Sequence, residues 1–398
     1  MKHFVGILLA IAGLPSHALQ GQQIINSSFG KGVSVLAQDS SFSMTFNARV
    51  QSLFVTEFDA DDLSGVETNW LIRRSRLKFG GFAYHPNIQY KIELGLSNRD
   101  HGGETYETGN TSNLILDAFV RWKVAGNFEI WVGQTKLPGN RERVISSQKL
   151  QFVDRSLVNS RFNIDRDMGV QFHNSHTFGQ LKVKEAFAIS QGEGRNRTVG
   201  NQGGLEYTGR IEVLPMGSFT GKGDYFGSDL KREETPKLSI GVTYDYNGDA
   251  PRERGNLGNY VADTAYNSLE TIFGDFMFKW NGWSVAGEYA NKQALGERII
   301  DFSDGSFVSN YFTGHGTTIQ AGYLLKNNVE PAFRYTQIIP EIGSGRDIET
   351  MYTLGVSKYV VGHSLKIQSD LSWIDKQDQT TLETVQDIMF RFQVEMAF

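Results

Sequence analysis

The chain ends Ile388-Met389-Phe390-Arg391-Phe392-Gln393-Val394-Glu395-Met396-Ala397-Phe398, and the fold is decided by how this stretch is read. Ile388, Phe390, Phe392, Val394, Met396 and Phe398 are apolar, and the residues between them are mostly polar. Successive side chains of a strand point to opposite faces. The segment therefore has one greasy face and one wet face, and the greasy face ends on an aromatic carboxy terminus. A membrane barrel strand has this pattern, with lipid outside, water inside and an aromatic at the interface. An ordinary antiparallel sheet can carry it too, so the reading turns on recurrence.

The pattern recurs upstream. Phe42, Met44, Phe46, Ala48 and Val50 alternate with Ser43, Thr45, Asn47, Arg49 and Gln51. Ile88, Tyr90, Ile92, Leu94 and Leu96 alternate with Gln89, Lys91, Glu93, Gly95 and Ser97. Alternation and turn signals predict strands near 41–58, 69–80, 88–97, 113–124, 128–136, 167–174, 181–190, 204–214, 237–246, 268–280, 283–292, 315–325, 329–338, 351–360, 365–374 and 387–398. That makes about 16, an even number, as single-chain bacterial barrels have. The connections alternate short and long. Asn281-Gly282 is a two-residue hairpin signal, while 98–112, 137–166, 247–267 and 293–314 are long. Short periplasmic turns and long external loops follow from a membrane barrel. The 215–236 connection falls where a short turn belongs and is long. Trp70, Trp122, Trp280, Trp283 and Trp373 sit near strand ends, as interfacial girdles require.

The expected fold class is thus all-β, a transmembrane antiparallel β-barrel. Lys2 and His3, the apolar run Phe4 to Leu14, and Ser16 and Ala18 read as an export signal over 1–18. The run is too short to span a bilayer as a helix. A periplasmic segment over 19–40 and the barrel over 41–398 follow. The chain has no cysteine, so it is not a disulfide scaffold. The mean hydropathy of -0.33 suits a barrel with a polar lumen. The net charge of -5 says nothing for anion binding by itself; that depends on where charges point.

Residues 72–84, Ile-Arg-Arg-Ser-Arg-Leu-Lys-Phe-Gly-Gly-Phe-Ala-Tyr, continue to Tyr90-Lys91-Ile92-Glu93-Leu94. This stretch resembles the phosphate-selective porins O and P. Val132-Gly133-Gln134, Ser146-Ser147, Asp154-Arg155-Ser156, Glu330 to Tyr335 and the terminal Phe398 follow in the family's order. The resemblance implies a trimeric 16-strand barrel carrying small anions across the outer membrane of a Gram-negative bacterium. The chain departs from it where phosphate-specific members have central lysines. Gln89 stands there with Lys91 two residues on, and Gln148 stands before Lys149. Their later arginine stack is reduced to Arg252-Glu253-Arg254.

Selectivity in a pore comes from charge at close quarters. If Ile88, Tyr90 and Ile92 face lipid, Lys91 faces the lumen, and by the same parity so do Arg49, Arg121 and Lys123. Arg74, Arg76 and Lys78 share a face that must be the lumen, since a cation at the midplane of the lipid face costs roughly 2–4 kcal/mol. Snorkelling at strand ends is the alternative, and it would serve for Arg73 or Lys123 but not for three cations on one face. The 137–166 loop carries six basic residues against three acidic, an excess of three. It either lends positive potential to a constriction or uses its bases to tie itself to neighbouring acids. The candidate anion-binding residues are Lys91, Arg74, Arg76, Lys149, Arg143, Arg121 and Arg49. Small inorganic anions and outer-membrane lipid are the expected partners, with a homotrimer on the resemblance alone and no nucleic acid. No hydrolase, zinc or phosphate-loop motif is present, so neither enzyme nor cofactor is expected. Asp59, Asp61, Asp62 and Ser64 lack the closing acid of a calcium loop and read as a solvated turn. The alternatives are a non-selective porin and a barrel-type lipid hydrolase.

Overall fold

The computed structural model describes residues 22–26, 28–97, 100, 113–261, 266–296 and 311–398. The expected export signal and parts of the 98–112, 247–267 and 293–314 loops lie outside the described residues. Two short strands, β1 (Gln22–Asn26) and β2 (Val33–Ala37), pair with each other, and β2 pairs with the start of the next strand. They occupy the segment read as periplasmic, whose sequence gave no strand signal.

Sixteen strands then close on themselves. They are β3 (Ser43–Asp59), β4 (Glu67–Ala83), β5 (His85–Gly95), β6 (Ile115–Ala125), β7 (Phe128–Lys136), β8 (Arg166–Phe178), β9 (Leu181–Ser190), β10 (Glu206–Leu214), β11 (Lys237–Ala250), β12 (Asn267–Trp280), β13 (Trp283–Ala294), β14 (Gly314–Tyr323), β15 (Val329–Pro340), β16 (Ile348–Val361), β17 (Leu365–Gln377) and β18 (Thr384–Ala397). Each pairs antiparallel with the next, and β18 pairs with β3. Closure leaves no unpaired edge, which a bilayer without water demands. The seam is fastened at its end, where Phe398 N–H donates to Ala48 O (2.9 Å) and Ala48 N–H to Phe398 O (2.8 Å).

Every predicted strand overlaps one of these sixteen. In β18, Arg391, Gln393 and Glu395 are buried on the lumen side, while Val394, Met396 and Phe398 are exposed outside. Asn281 and Gly282 have φ of +48° and +91° and turn β12 into β13, the geometry of a primed two-residue hairpin. Pro331 lies beyond the β14–β15 ladder, whose last pair is Gly322 with Ala332, so it removes no donor from that ladder.

Two departures shape the lumen. In the β3–β4 ladder Gln51 faces Arg74 and Ser52 faces Ile72, leaving Arg73 as a bulge. A bulge re-aims a side chain, so Arg73 turns inward beside Arg74 rather than snorkelling outward. The second departure is the 215–236 connection, a true insertion at the short-turn end that folds back into the barrel. Lys279 Nζ donates to Gly223 O (2.8 Å) and Ser228 O (2.7 Å), and Gly282 N–H donates to Asp229 Oδ2 (2.8 Å).

Candidate functional site

The loop over 137–165 enters the lumen from the long-loop end. It carries two short helices, α1 (Arg141–Val144) and α2 (Leu157–Phe162). Ser156 caps α2 by accepting from Asn159 N–H (3.2 Å). The loop does not hang in water. Leu137, Val158, Phe162 and Ile164 pack on Ala188, Phe273, Ala290 and Ile338, an apolar patch on the lumen face of β9, β12, β13 and β15. Burying side chains such as Val158 and Phe162 contributes roughly 1.5–3 kcal/mol each. Gly316 and Gly355 make room for this docking. A Cβ on Gly316 would stand 3.0 Å from the Phe162 ring, and one on Gly355 2.9 Å from Phe152.

Polar anchors complete the seat. Arg141 Nε donates to Asp275 Oδ1 (2.6 Å) and its Nη2 to Ser239 Oγ (2.9 Å). Gln151 Nε2 donates to Ser284 Oγ and Glu330 Oε1, both at 2.8 Å, and its backbone O accepts from Ser357 Oγ and Gln368 Nε2, both at 2.9 Å. On the opposite wall the tandem arginines grip Asp154: Arg73 Nε donates to Oδ2 (2.9 Å) and Arg74 Nη2 to Oδ1 (2.9 Å). Burial would raise the Asp154 carboxyl, but Arg74 and Arg73 outweigh it and hold it well below the usual range. The insert meets the loop from the other end, where Gly227 N–H donates to Lys149 O (2.7 Å). A Cβ on Gly227 would lie 2.5 Å from Gln151 N, so only glycine allows that approach.

Loop and insert both pack on the β10–β17 side and leave a cavity of about 1560 Å³, walled mainly by β4–β9. It extends from Glu57, Glu349 and Lys376 near the long-loop end to Asn127, Lys182 and Lys222 near the short-turn end. Its lining holds twenty basic and eleven acidic side chains, a surplus of nine positive charges in a chain whose net charge is -5.

Six of the seven candidate residues reach this cavity: Arg74, Arg76, Lys91, Arg121, Arg143 and Lys149. Arg49 faces inward but sits behind the loop, donating to Glu395 (3.2 Å) and Ser147 Oγ (2.9 Å), and does not line the cavity. Most of the six are engaged. Arg76 binds Asp100, Lys91 binds Asp117 and Glu93, Arg143 binds Asp165, and Arg121 binds Gln89 and lies near Glu129. The loop's bases largely follow the anchoring reading. Arg143 pairs with Asp165 inside the loop, whereas Arg141 and Arg161 reach the wall acids Asp275 and Glu349.

Lys149 differs from the rest. Among the described residues no carboxylate pairs with it; its Nζ lies 3.8 Å from the centre of the Phe226 ring on the insert. Burial, then the neighbouring ammonium groups of Lys78 and Lys222, push it down to about 8. Lys222 was missed by sequence reasoning, and its signal was the over-long 215–236 connection. Among the described residues no cluster of His, Cys, Asp and Glu could hold a metal. Asp59 and Asp62 instead accept from the N–H groups of Asp61 (2.8 Å) and Ser64 (2.9 Å), closing a turn.

A closed 16-strand barrel with an inward loop and a charged lumen defines an outer-membrane porin. The chain belongs to the phosphate-selective porin O and P family, whose model matches residues 44–396. A protein of Aquifex aeolicus with no assigned function is 24% identical over 354 residues, covering 82% of this chain and 80% of that one. Solved structures share the fold at low identity. The anion-selective porin of Comamonas acidovorans matches with a TM-score of 0.55 and 10% identity, over 90% of this chain and all of that one. OmpT of Vibrio cholerae, in its trimer form, gives 0.54 and 10% over the same shares. The DcaP channel of Acinetobacter baumannii gives 0.53 and 11%, over 90% of this chain and 98% of that one. The chain is thus an outer-membrane protein of Gram-negative type.

Proposed function

We propose that this porin passes small anions by diffusion, phosphate or polyphosphate among them, through the basic half of its lumen. The observation that carries the reading is the surplus of nine positive charges around the cavity of an overall acidic chain. A low-dielectric wall focuses such a field on the path and raises the local concentration of anions. Arginine and lysine at close quarters then exchange water for oxyanion oxygens. No covalent step or cofactor is involved, and the reading is of a channel, not an enzyme. Purified protein that conducts should leave phospholipid intact, and turnover of phospholipid by refolded protein would favour a lipid hydrolase instead.

A non-selective porin has one observation in its favour: Arg74, Arg76, Lys91 and Arg143 are each offset by a neighbouring acid of the wall or loops. Planar-bilayer recording separates the two. In a KCl gradient the reversal potential is expected to favour chloride, and added phosphate to reduce chloride current. A reversal potential favouring potassium would sink the anion reading.

Assembly as a homotrimer accompanies this proposal. It rests on the family and on the trimer form named for the Vibrio cholerae protein. Native mass spectrometry in detergent should find three chains; monomer alone would contradict it.

A further inference from the structure

Five of the six tryptophans, Trp70, Trp122, Trp280, Trp283 and Trp373, are exposed on the outside of the barrel. The sixth, Trp131, is in the lumen. It lines the cavity with Phe119 of β6 and His173 of β8, on the same face as Arg121, Glu129 and Gln171. The three rings form one stack. Phe119 and Trp131 have centroids 5.1 Å apart at 19°, and Trp131 and His173 4.2 Å apart at 30°. Register makes the stack oblique. Trp131 stands opposite Arg121 and Gln171, so Phe119 lies one lumen position towards the long loops and His173 one towards the short turns.

Cross-strand aromatic pairs stabilise sheets, but they do so equally well on the lipid face, where no ring meets water. Three contiguous rings on a wet, charged wall call for an occupant that covers them. Their polar tips are already tied along the wall: Trp131 Nε1 donates to Glu129 Oε2 (3.0 Å), and His173 Nε2 bonds Gln171 Oε1 (3.0 Å). Charge lies beside the rings. The Arg121 guanidinium is 5.6 Å from the Trp131 ring centre, and Lys123, next on the same face of β6, lines the cavity too.

We propose that Phe119, Trp131 and His173 form a subsite for organic anions that carry a flat apolar ring, the simplest being an aromatic carboxylate. Its ring packs against the stack, and its carboxylate faces Lys123 and Arg121. Such a ligand gains both from the positive field and from apolar contact, whereas inorganic phosphate or acetate gains only from the field. The proposal rests on the anion reading for delivery and adds a ligand class to it.

The test uses the full chain in planar bilayers, with benzoate and acetate as blockers of chloride current. They carry the same charge, and only benzoate has a ring. Aromatic contact predicts block by benzoate at a concentration about two- to tenfold lower than acetate requires. Trp131→Ala should erase that difference, Trp131→Phe should keep part of it, and both should keep the parent's KCl reversal potential. If Trp131→Ala does not fold, Phe119→Ala reads the same contrast. Equal block by the two anions, with a chloride-favouring reversal potential, overturns the subsite and leaves the anion reading standing. A difference that survives Trp131→Ala also overturns it. A potassium-favouring reversal potential removes the anion reading and the subsite with it.

Discussion

Replacing Arg141 by alanine is expected to unseat the lumen loop and raise single-channel conductance while the barrel stays closed. Arg141 is 2% exposed and lies where loop, wall and insert meet. It pairs with Asp275 (2.6 Å) and Glu212 (3.5 Å) on the wall and donates to Asp224 O (3.2 Å) on the insert. Among the described residues its removal leaves Asp275 with Arg210 alone, while Glu212 keeps Arg210, Lys184 and the Tyr225 hydroxyl. The buried Asp275 carboxylate loses one of its two guanidinium partners, and breaking a buried pair costs about 3–5 kcal/mol. The apolar contacts of Val158 and Phe162 hold only the other end of the loop. The barrel ladder does not involve Arg141, so heat-modifiable migration on gels should be unchanged. Arg141→Lys keeps the charge without the planar fork and should fall between. Protease cleavage within 137–165, together with higher conductance, would verify the release. Unchanged conductance in a folded Arg141→Ala barrel would mean that the apolar patch and the remaining polar anchors seat the loop without Arg141.

The sequence carried the barrel because a strand's two-residue period is local. Each alternation, such as Ile88 to Leu96, stands on its own residues, and sixteen of them survive small errors at the ends. Parity carried the lumen face for the same reason, and Arg74, Arg76 and Lys91 point as it requires. The bulge at Arg73 broke the parity rule, and nothing in Arg73-Arg74 marks which residue is extra. Partners were less legible still. Asp154 meets Arg73 across 81 positions and Arg161 meets Glu349 across 188, and only the closed barrel brings these together. The apolar lumen patch at Phe273, Ala290 and Ile338 went unread in the sequence, because alternation alone does not show which part of the wall a loop covers. Without the loop's path they had no stated purpose. The 215–236 segment was legible as an anomaly of length, and its meaning came from what it touches.

Those pairings change which residue should matter most for selectivity. By parity alone Lys91 is the strongest candidate, since it lies mid-strand on a clear alternation. The structure gives it two carboxylates, Glu93 at 2.9 Å and Asp117. Much of its field is cancelled locally, and Lys91→Gln should alter selectivity little. Among the described residues Lys149 has no such partner, so no carboxylate cancels its charge on the path. A unit charge about 4 Å from a passing ion in water is worth about 1 kcal/mol, close to a fivefold change in a permeability ratio. Lys149→Gln is therefore expected to lower the chloride-to-potassium ratio by up to about fivefold, and Lys91→Gln by clearly less. The pH dependence supplies a second handle. With its pKa pushed down to about 8, Lys149 is roughly nine-tenths charged at pH 7 and roughly one-tenth charged at pH 9. Anion preference should fall across that window in the parent. It should hold in Lys149→Arg, because a guanidinium stays protonated. Unfolding does not explain the fall. A lysine whose folded pKa lies below its unfolded value binds fewer protons when folded, so its contribution to stability rises with pH between about 8 and 10.5. A flat selectivity profile from pH 7 to 9 in the parent, or an equal loss in Lys91→Gln and Lys149→Gln, would show that the unpaired ammonium does not set the preference.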